Sequence, residues 1–159
     1  ADTARTSATL FTEVIGPLMI SDLVTRAGFP QMWLDFVSQM DVAPLVVIFA
    51  ILGIYLVLGL VFESLSMLLL TVPVFYPLVA SLGFDLVWFG IVVVVVTEIS
   101  LITPPVGMNV FVLSAVIKDV KTGTIFRGVT PFWMVDILRL LLIVFFVQIS
   151  LFLPQWLYG

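Results

Sequence analysis

Two consecutive prolines, Pro104 and Pro105, fall inside a stretch, 87–117, that is otherwise apolar. Neither has an N–H, and each ring crowds the turn before it, so no straight helix runs through them. Gly107 and Asn109 follow within a few residues. As one straight helix the stretch would extend about 46 Å, against a hydrocarbon core of about 30 Å. Two half-helices with a non-helical segment between them remove that excess. Broken backbone at membrane depth survives only where it is buried in protein or lines a cavity. A discontinuous membrane helix is also where secondary transporters hold ions and substrates.

The reading depends on an apolar setting, and composition supplies it. The chain is 62% hydrophobic and 10% charged, with a mean hydropathy of +1.31, whereas soluble domains carry roughly 25% charged residues. Uncharged runs lie between Asp41 and Glu63, Glu63 and Asp85, Glu98 and Lys118, and after Arg139. The expected fold class is an all-α, polytopic membrane protein in a lipid bilayer. The net charge of −4 is scattered and no basic patch points to nucleic acid. With no cysteine and no histidine, disulfides, thiolate metal sites and every His- or Cys-dependent catalytic arrangement are excluded. An intramembrane hydrolase would need a nucleophile and base or a carboxylate dyad, and Glu63 and Glu98 lie in no such pattern, so no enzyme is expected. The opening Ala1-Asp-Thr-Ala-Arg-Thr6 reads as the middle of a longer polypeptide.

Five segments are expected. A membrane helix covers 7–24, with Gly16-Pro17 marking a kink or a close approach to a neighbour. A short helix over 30–41 sets Met32, Trp33, Phe36, Val37 and Met40 at helical spacing on one face and suits the membrane interface. The unit 45–80 is interrupted only by Glu63-Ser-Leu-Ser66. It reads either as two spanning helices or as a re-entrant hairpin with its tip at 61–66, and Pro73 and Pro77 weaken the second arm as a full span. The broken helix covers 87–117, with the valine run Val92 to Val96 expected to be fully buried. A final membrane helix opens at Pro131 and runs over 131–153, with Trp156 and Tyr158 as interfacial anchors. Lys118, Lys121 and Arg127 place the loop 118–130 in the cytoplasm and the C-terminus on the far side.

At the break, the first half-helix ends near Leu101 with unpaired carbonyls, and the second begins between Gly107 and Asn109 with unpaired N–H groups. The carbonyl end suits a small hard cation such as Na⁺, and the amide end suits a carboxylate. The Ser100 and Thr103 hydroxyls and the Asn109 amide can complete either shell, although Asn109 alone also reads as an N-cap. Glu63 and Glu98 are membrane carboxylates and hence site candidates. Their plainer readings are a surface turn for Glu63 and a structural hydrogen bond or ion pair for Glu98. Asp136 and Arg139, three apart, pair with each other or snorkel.

Thr3-Ala-Arg-Thr-Ser-Ala8, Gly59-Leu-Val-Phe-Glu-Ser64, Thr71-Val-Pro-Val-Phe-Tyr-Pro77, Gly83-Phe-Asp-Leu-Val-Trp-Phe-Gly90 and above all Glu98-Ile-Ser-Leu-Ile-Thr-Pro-Pro-Val-Gly-Met-Asn109 resemble the large membrane subunit of tripartite ATP-independent periplasmic (TRAP) transporters. The resemblance implies two inverted repeats like those of the ion-transporter superfamily, each with a re-entrant hairpin and a Pro-broken helix. This chain would hold the second repeat, with Pro30–Met40 as an arm. It implies Na⁺-coupled, elevator-type uptake of an organic acid, dicarboxylate or sialic-acid-like, across the bacterial inner membrane, with Na⁺ as coupling ion and no other cofactor. Its partners would be a periplasmic substrate-binding protein, a small membrane subunit and the remaining N-terminal half of the large subunit. The implied substrate residues are Ser64, Thr103, Gly107 and Asn109. The implied Na⁺ ligands, mainly backbone carbonyls, are Glu63, Ser100, Thr103, Pro104 and Met108. Where the family often has Asp-Pro at the hairpin tip, this chain has Glu63-Ser64. The alternative is a structural membrane subunit without a binding site of its own, which would tolerate Ala-Ala in place of Pro104-Pro105.

Overall fold

Every regular element of the computed structural model is an α-helix; it describes residues 2–117 and 119–158. The helices are α1 (Asp2–Arg26), α2 (Phe29–Gln39), α3 (Pro44–Leu58), α4 (Ser64–Ser81), α5 (Leu86–Ile102), α6 (Met108–Val116), α7 (Thr122–Phe145) and α8 (Val147–Tyr158). Among the described residues, α1 from Thr3, α4 and α7 are long and apolar enough to cross a membrane. The shorter apolar helices α3 and α5 are not. The chain divides into two compact units. The first holds the residues to Ile51 with Phe62–Phe84, and the second holds Leu52–Val61 with the residues from Asp85 onward.

In the first unit α4 packs on both α1 and α2. Its buried side is Met67, Thr71, Val74, Phe75, Leu78 and Val79. Pro73 and Pro77 do not interrupt it; α4 is one continuous helix. The two prolines stand one turn apart on the side away from these packed residues, so the N–H donors they lack are lost from the outer face. Pro17 likewise sits inside α1. It has no N–H for the carbonyl of Glu13, four residues earlier, and that carbonyl instead takes the Ser66 hydroxyl at 3.4 Å. Gly16 has open space beside it, so the Gly16-Pro17 pair is not a close helix contact. Between α1 and α2 the chain turns at Gly28, which has φ 77°. On α2, Phe29 meets Trp33 edge-on at 6.2 Å and Trp33 meets Phe36 at 6.1 Å, and this aromatic face stays largely exposed.

In the second unit α5 packs on α6, α7 and α8. Asp85 caps its start, accepting from the Val87 and Trp88 N–H groups at 2.8 and 3.0 Å. Trp88, Val92, Val93, Val96, Ile99 and Ser100 are wholly enclosed. The valine run is not buried throughout, as its composition suggests: Val94 is 52% exposed. A helix turns about 100° per residue, so five consecutive positions cannot share one face. Glu98 lies on the same open side.

The last segment differs most from the sequence expectation. Pro131 lies inside α7, which begins at Thr122, so most of 118–130 is helix rather than loop; Lys118 lies outside the described residues. The Thr122 and Ser114 hydroxyls bond at 2.7 Å, and Phe126 stacks edge-on against Phe111 at 6.3 Å. Packing of this first stretch sustains the helix where glycines and the proline weaken its intrinsic propensity. The span 131–153 is also not continuous, since Phe146 leaves the helical region at φ −116°, ψ 74°. The Ile143 carbonyl, which a continuing helix would pair with the Val147 N–H, takes the Trp88 indole N–H at 2.9 Å. Asp136 and Arg139 pair at 3.1 Å.

Trp88→Phe leaves that half-buried carbonyl without its indole donor, a loss of about 1–2 kcal/mol. The expected result is a thermal midpoint in detergent lowered by about 2–8 °C. Trp156→Phe, at a 74% exposed position, should leave the midpoint unchanged.

Candidate functional site

The break in 87–117 runs from Thr103, the C-cap of α5, to Gly107, the N-cap of α6. Pro104 and Pro105 have no N–H to offer the carbonyls of Ser100 and Leu101. Ser100 O takes the Thr103 N–H at 3.2 Å instead. The carbonyls of Leu101 and Ile102 receive no backbone donor among the described residues. Thr103 O accepts from Gly107 N–H at 3.0 Å and closes the segment. Gly107 adopts φ 36°, where a side chain is strained, and an added Cβ would also press on the Phe126 ring at 3.2 Å.

Beyond Gly107, the N–H groups of Met108 and Asn109 have no backbone acceptor among the described residues. Gly107 provides no side-chain cap. Asn109 is therefore not the N-cap: it stands inside the first turn of α6 and is exposed. Pro104, Pro105 and Val106 are exposed as well, while Thr103 and Met108 are half-buried. The break thus presents two kinds of unsatisfied backbone, carbonyls at the end of α5 and N–H groups at the start of α6.

Two hydroxyls at the carbonyl end are held differently. Ser100 Oγ donates to Thr97 O at 2.6 Å and is completely enclosed, lying under Gly59, where an added Cβ would overlap both Ser100 Oγ and Ser100 Cβ. Thr103 Oγ1 donates to Ile99 O at 2.7 Å and accepts the Trp133 indole N–H at 3.0 Å. A hydroxyl has one donor and two acceptor positions, so Thr103 keeps one free lone pair and no free proton. It can bind a cation in this state, and it cannot donate to a carboxylate.

Glu63 and Ser64 lie in the first unit, at the start of α4. Glu63 is the N-cap: its carboxylate accepts from Leu65 N–H at 3.0 Å, Ser66 N–H at 3.1 Å and Ser64 Oγ at 3.1 Å. Three of about four lone-pair positions are thereby taken. Sequence leaves Glu63 as a ligand or a surface turn; its role as a cap carries little sequence signal, because the usual N-cap residues are Ser, Thr, Asp and Asn. Gly59, Phe126 and Trp133 also lie outside the sequence reading. Phe126 and Trp133 are two turns apart on one face of α7, a spacing visible in the sequence, but nothing there says which segment they meet.

The sequence profile described as "Tripartite ATP-independent periplasmic transporter, DctM component" matches residues 1–149. The chain belongs to this family. Curated relatives include a sialic acid TRAP transporter large permease protein, SiaM, of Vibrio cholerae, 35% identical over 99% of this chain and 37% of the relative. A C4-dicarboxylate TRAP transporter large permease protein, DctM, of Pseudomonas aeruginosa is 31% identical over 91% of this chain and 34% of its own length. A 2,3-diketo-L-gulonate TRAP transporter large permease protein, YiaN, of Escherichia coli is 32% identical over 96% and 36%. The chain spans little more than a third of each of these proteins. The TRAP family is one of membrane transport permeases, not enzymes, and the three long apolar helices agree with a multi-pass inner-membrane placement.

Gly59→Ala forces its methyl into Ser100, an overpacking loss of about 1–3 kcal/mol. Adding Ser100→Gly removes the opposing atoms and should restore part of it. Thermal unfolding of the two variants beside wild type measures the recovery; a double variant no more stable than Gly59→Ala would show that the contact is not the cause.

Proposed function

We propose that this chain is the ion- and substrate-handling C-terminal part of a Na⁺-coupled TRAP permease that imports an organic acid. The observation that carries it is the break itself, where carbonyls before Thr103 and N–H groups after Gly107 have no backbone partner among the described residues, in a chain of this family. Such a segment in hydrocarbon needs ligands or protein partners for its polar groups, and a cation and a carboxylate meet the two ends in kind.

At the carbonyl end the proposed Na⁺ ligands are backbone carbonyls around Ser100, Thr103 and Pro104, with the free lone pair of Thr103 Oγ1. Met108 joins this set from the family resemblance; Glu63, in the first unit, is a separate Na⁺ candidate that the resemblance implies. At the amide end Gly107 and Asn109 receive the substrate carboxylate. Thr103 and Ser64, the other substrate residues the family resemblance implies, have their hydroxyl protons engaged by Ile99 O and by Glu63, and neither is assigned as a donor to it. The relatives named for sialic acid and C4-dicarboxylates support an anionic substrate of that kind.

The unit α3–α4 is proposed as a re-entrant hairpin. In support, α3 has 15 residues, short of the roughly 20 a crossing helix needs. The repeat works with an inverted counterpart in the remaining N-terminal half of the large subunit, and uptake proceeds by an elevator-type movement. A periplasmic binding protein delivers the substrate and a small membrane subunit supports the permease. Lys121 and Arg127 favour the cytoplasmic side for the α6–α7 turn, with the C-terminus in the periplasm.

The test is uptake by the assembled system in proteoliposomes, with radiolabelled sialic acid and succinate as probes. An inward Na⁺ gradient should drive accumulation, and equimolar K⁺ should not. Thr103→Val should weaken the Na⁺ dependence, and Asn109→Ala should raise the substrate KM about tenfold while the protein remains in the membrane. Undiminished uptake in Na⁺-free buffer would overturn the coupling, and wild-type kinetics for Pro104→Ala/Pro105→Ala would favour a structural subunit.

A further inference from the structure

The Trp133–Thr103 contact goes beyond these roles. We infer that Trp133 is a positioning residue of the cation end: it fixes which way the Thr103 hydroxyl points and so keeps a lone pair, not a proton, available there. This rests on the proposed Na⁺ reading of the break. Indole is a donor only, so at 3.0 Å it can meet Thr103 Oγ1 solely as an acceptor. The hydroxyl proton is thereby turned to Ile99 O, 2.7 Å away. Without the indole N–H, only the bond to Ile99 O holds the proton, and the hydroxyl has one restraint fewer against turning its proton toward the break, where it would repel a cation and attract an anion.

The arrangement also ties α7 to both sides of the break. Trp133 holds Thr103 at the end of α5, and two turns earlier Phe126 lies against Gly107 at the start of α6. Ser114 and Thr122 extend the same seam. Through Trp133, α7 acts on the chemistry of the carbonyl end without touching the ion. Trp133 is half-buried, and Trp133→Phe retains an aromatic ring while deleting the one donor.

The chain has no cysteine, so Val106→Cys, at an exposed position on the break, gives a single reporter within these residues, read by mass spectrometry of the peptide that carries it. Maleimide labelling of that cysteine is followed in the assembled, purified transporter as NaCl replaces choline chloride. Na⁺ should slow labelling, and Trp133→Phe should raise the half-saturating Na⁺ concentration about three- to tenfold, the worth of one hydrogen bond. In choline alone Trp133→Phe should speed labelling, because the break is less firmly held. In a Thr103→Val background, Trp133→Phe should add nothing to either measure. Should Trp133→Phe not accumulate, Thr103→Val alone must speed labelling in choline. Unchanged labelling and Na⁺ dependence in Trp133→Phe, or in Thr103→Val if that variant stands in, would overturn the inference while leaving Na⁺ coupling intact. Faster labelling in choline with no Na⁺ effect on wild type would support the Trp133–Thr103 tether, but would overturn its Na⁺ role together with the coupling reading.

Discussion

Pro104 and Pro105 withdraw two backbone donors from a helix in an apolar setting, and several polar contacts of the second unit answer that loss. In water the freed carbonyls would be hydrated at little cost. In hydrocarbon each unsatisfied group costs several kcal/mol, so the chain must find substitutes or bring in a ligand. Ser100 O recovers one donor by a tighter bond to the Thr103 N–H, and Thr103 O closes onto Gly107. Leu101 and Ile102 recover none within the backbone of the described residues. What remains open after these local repairs is the candidate site, and its polarity follows from helix direction alone.

The same accounting explains contacts that look unrelated. Pro17 frees the Glu13 carbonyl and Ser66 supplies a hydroxyl. The helix stop at Phe146 leaves the Ile143 carbonyl, and Trp88 supplies an indole N–H. Trp133 supplies another to Thr103. Tryptophan suits this work because it carries one donor on a large apolar ring: the ring is at home in a helix interface, and the N–H cannot switch to accepting. At Pro17, at Phe146 and beside the Pro104–Pro105 break, a donor thus comes from a different helix, and these sites also tie elements together.

Much of this was legible before any coordinates. The apolar runs, the break after Leu101 and the Asp136–Arg139 pair all follow from local chemistry, namely charge spacing and missing N–H groups. Three features did not. Pro73 and Pro77 leave α4 whole because they share its outer face, and whether a proline breaks or merely bends a helix depends on what packs opposite. The stop at Phe146 has no proline or glycine to announce it; it depends on Trp88, far away in sequence. The helical start of α7 at Thr122 depends on Phe126 and Thr122 finding Phe111 and Ser114. In each case the deciding partner is on another helix, which a pattern read along the chain cannot supply.

For the candidate site the residue types were legible and their states were not. Ser100 and Thr103 read alike in sequence, three apart with identical donor and acceptor groups. The fold separates them. Ser100 is sealed beneath Gly59, its proton spent on Thr97 O. Thr103 sits at the mouth of the break with both its proton and one lone pair engaged. One side chain has become packing and the other an oriented oxygen. The break can therefore discriminate by charge with few polar side chains of its own. Carbonyls and one acceptor-only hydroxyl mark the end of α5, and bare N–H groups mark the start of α6. On the proposed reading, a sodium ion and a carboxylate placed the wrong way round would each meet like charge, so their proposed order follows the direction in which the chain runs.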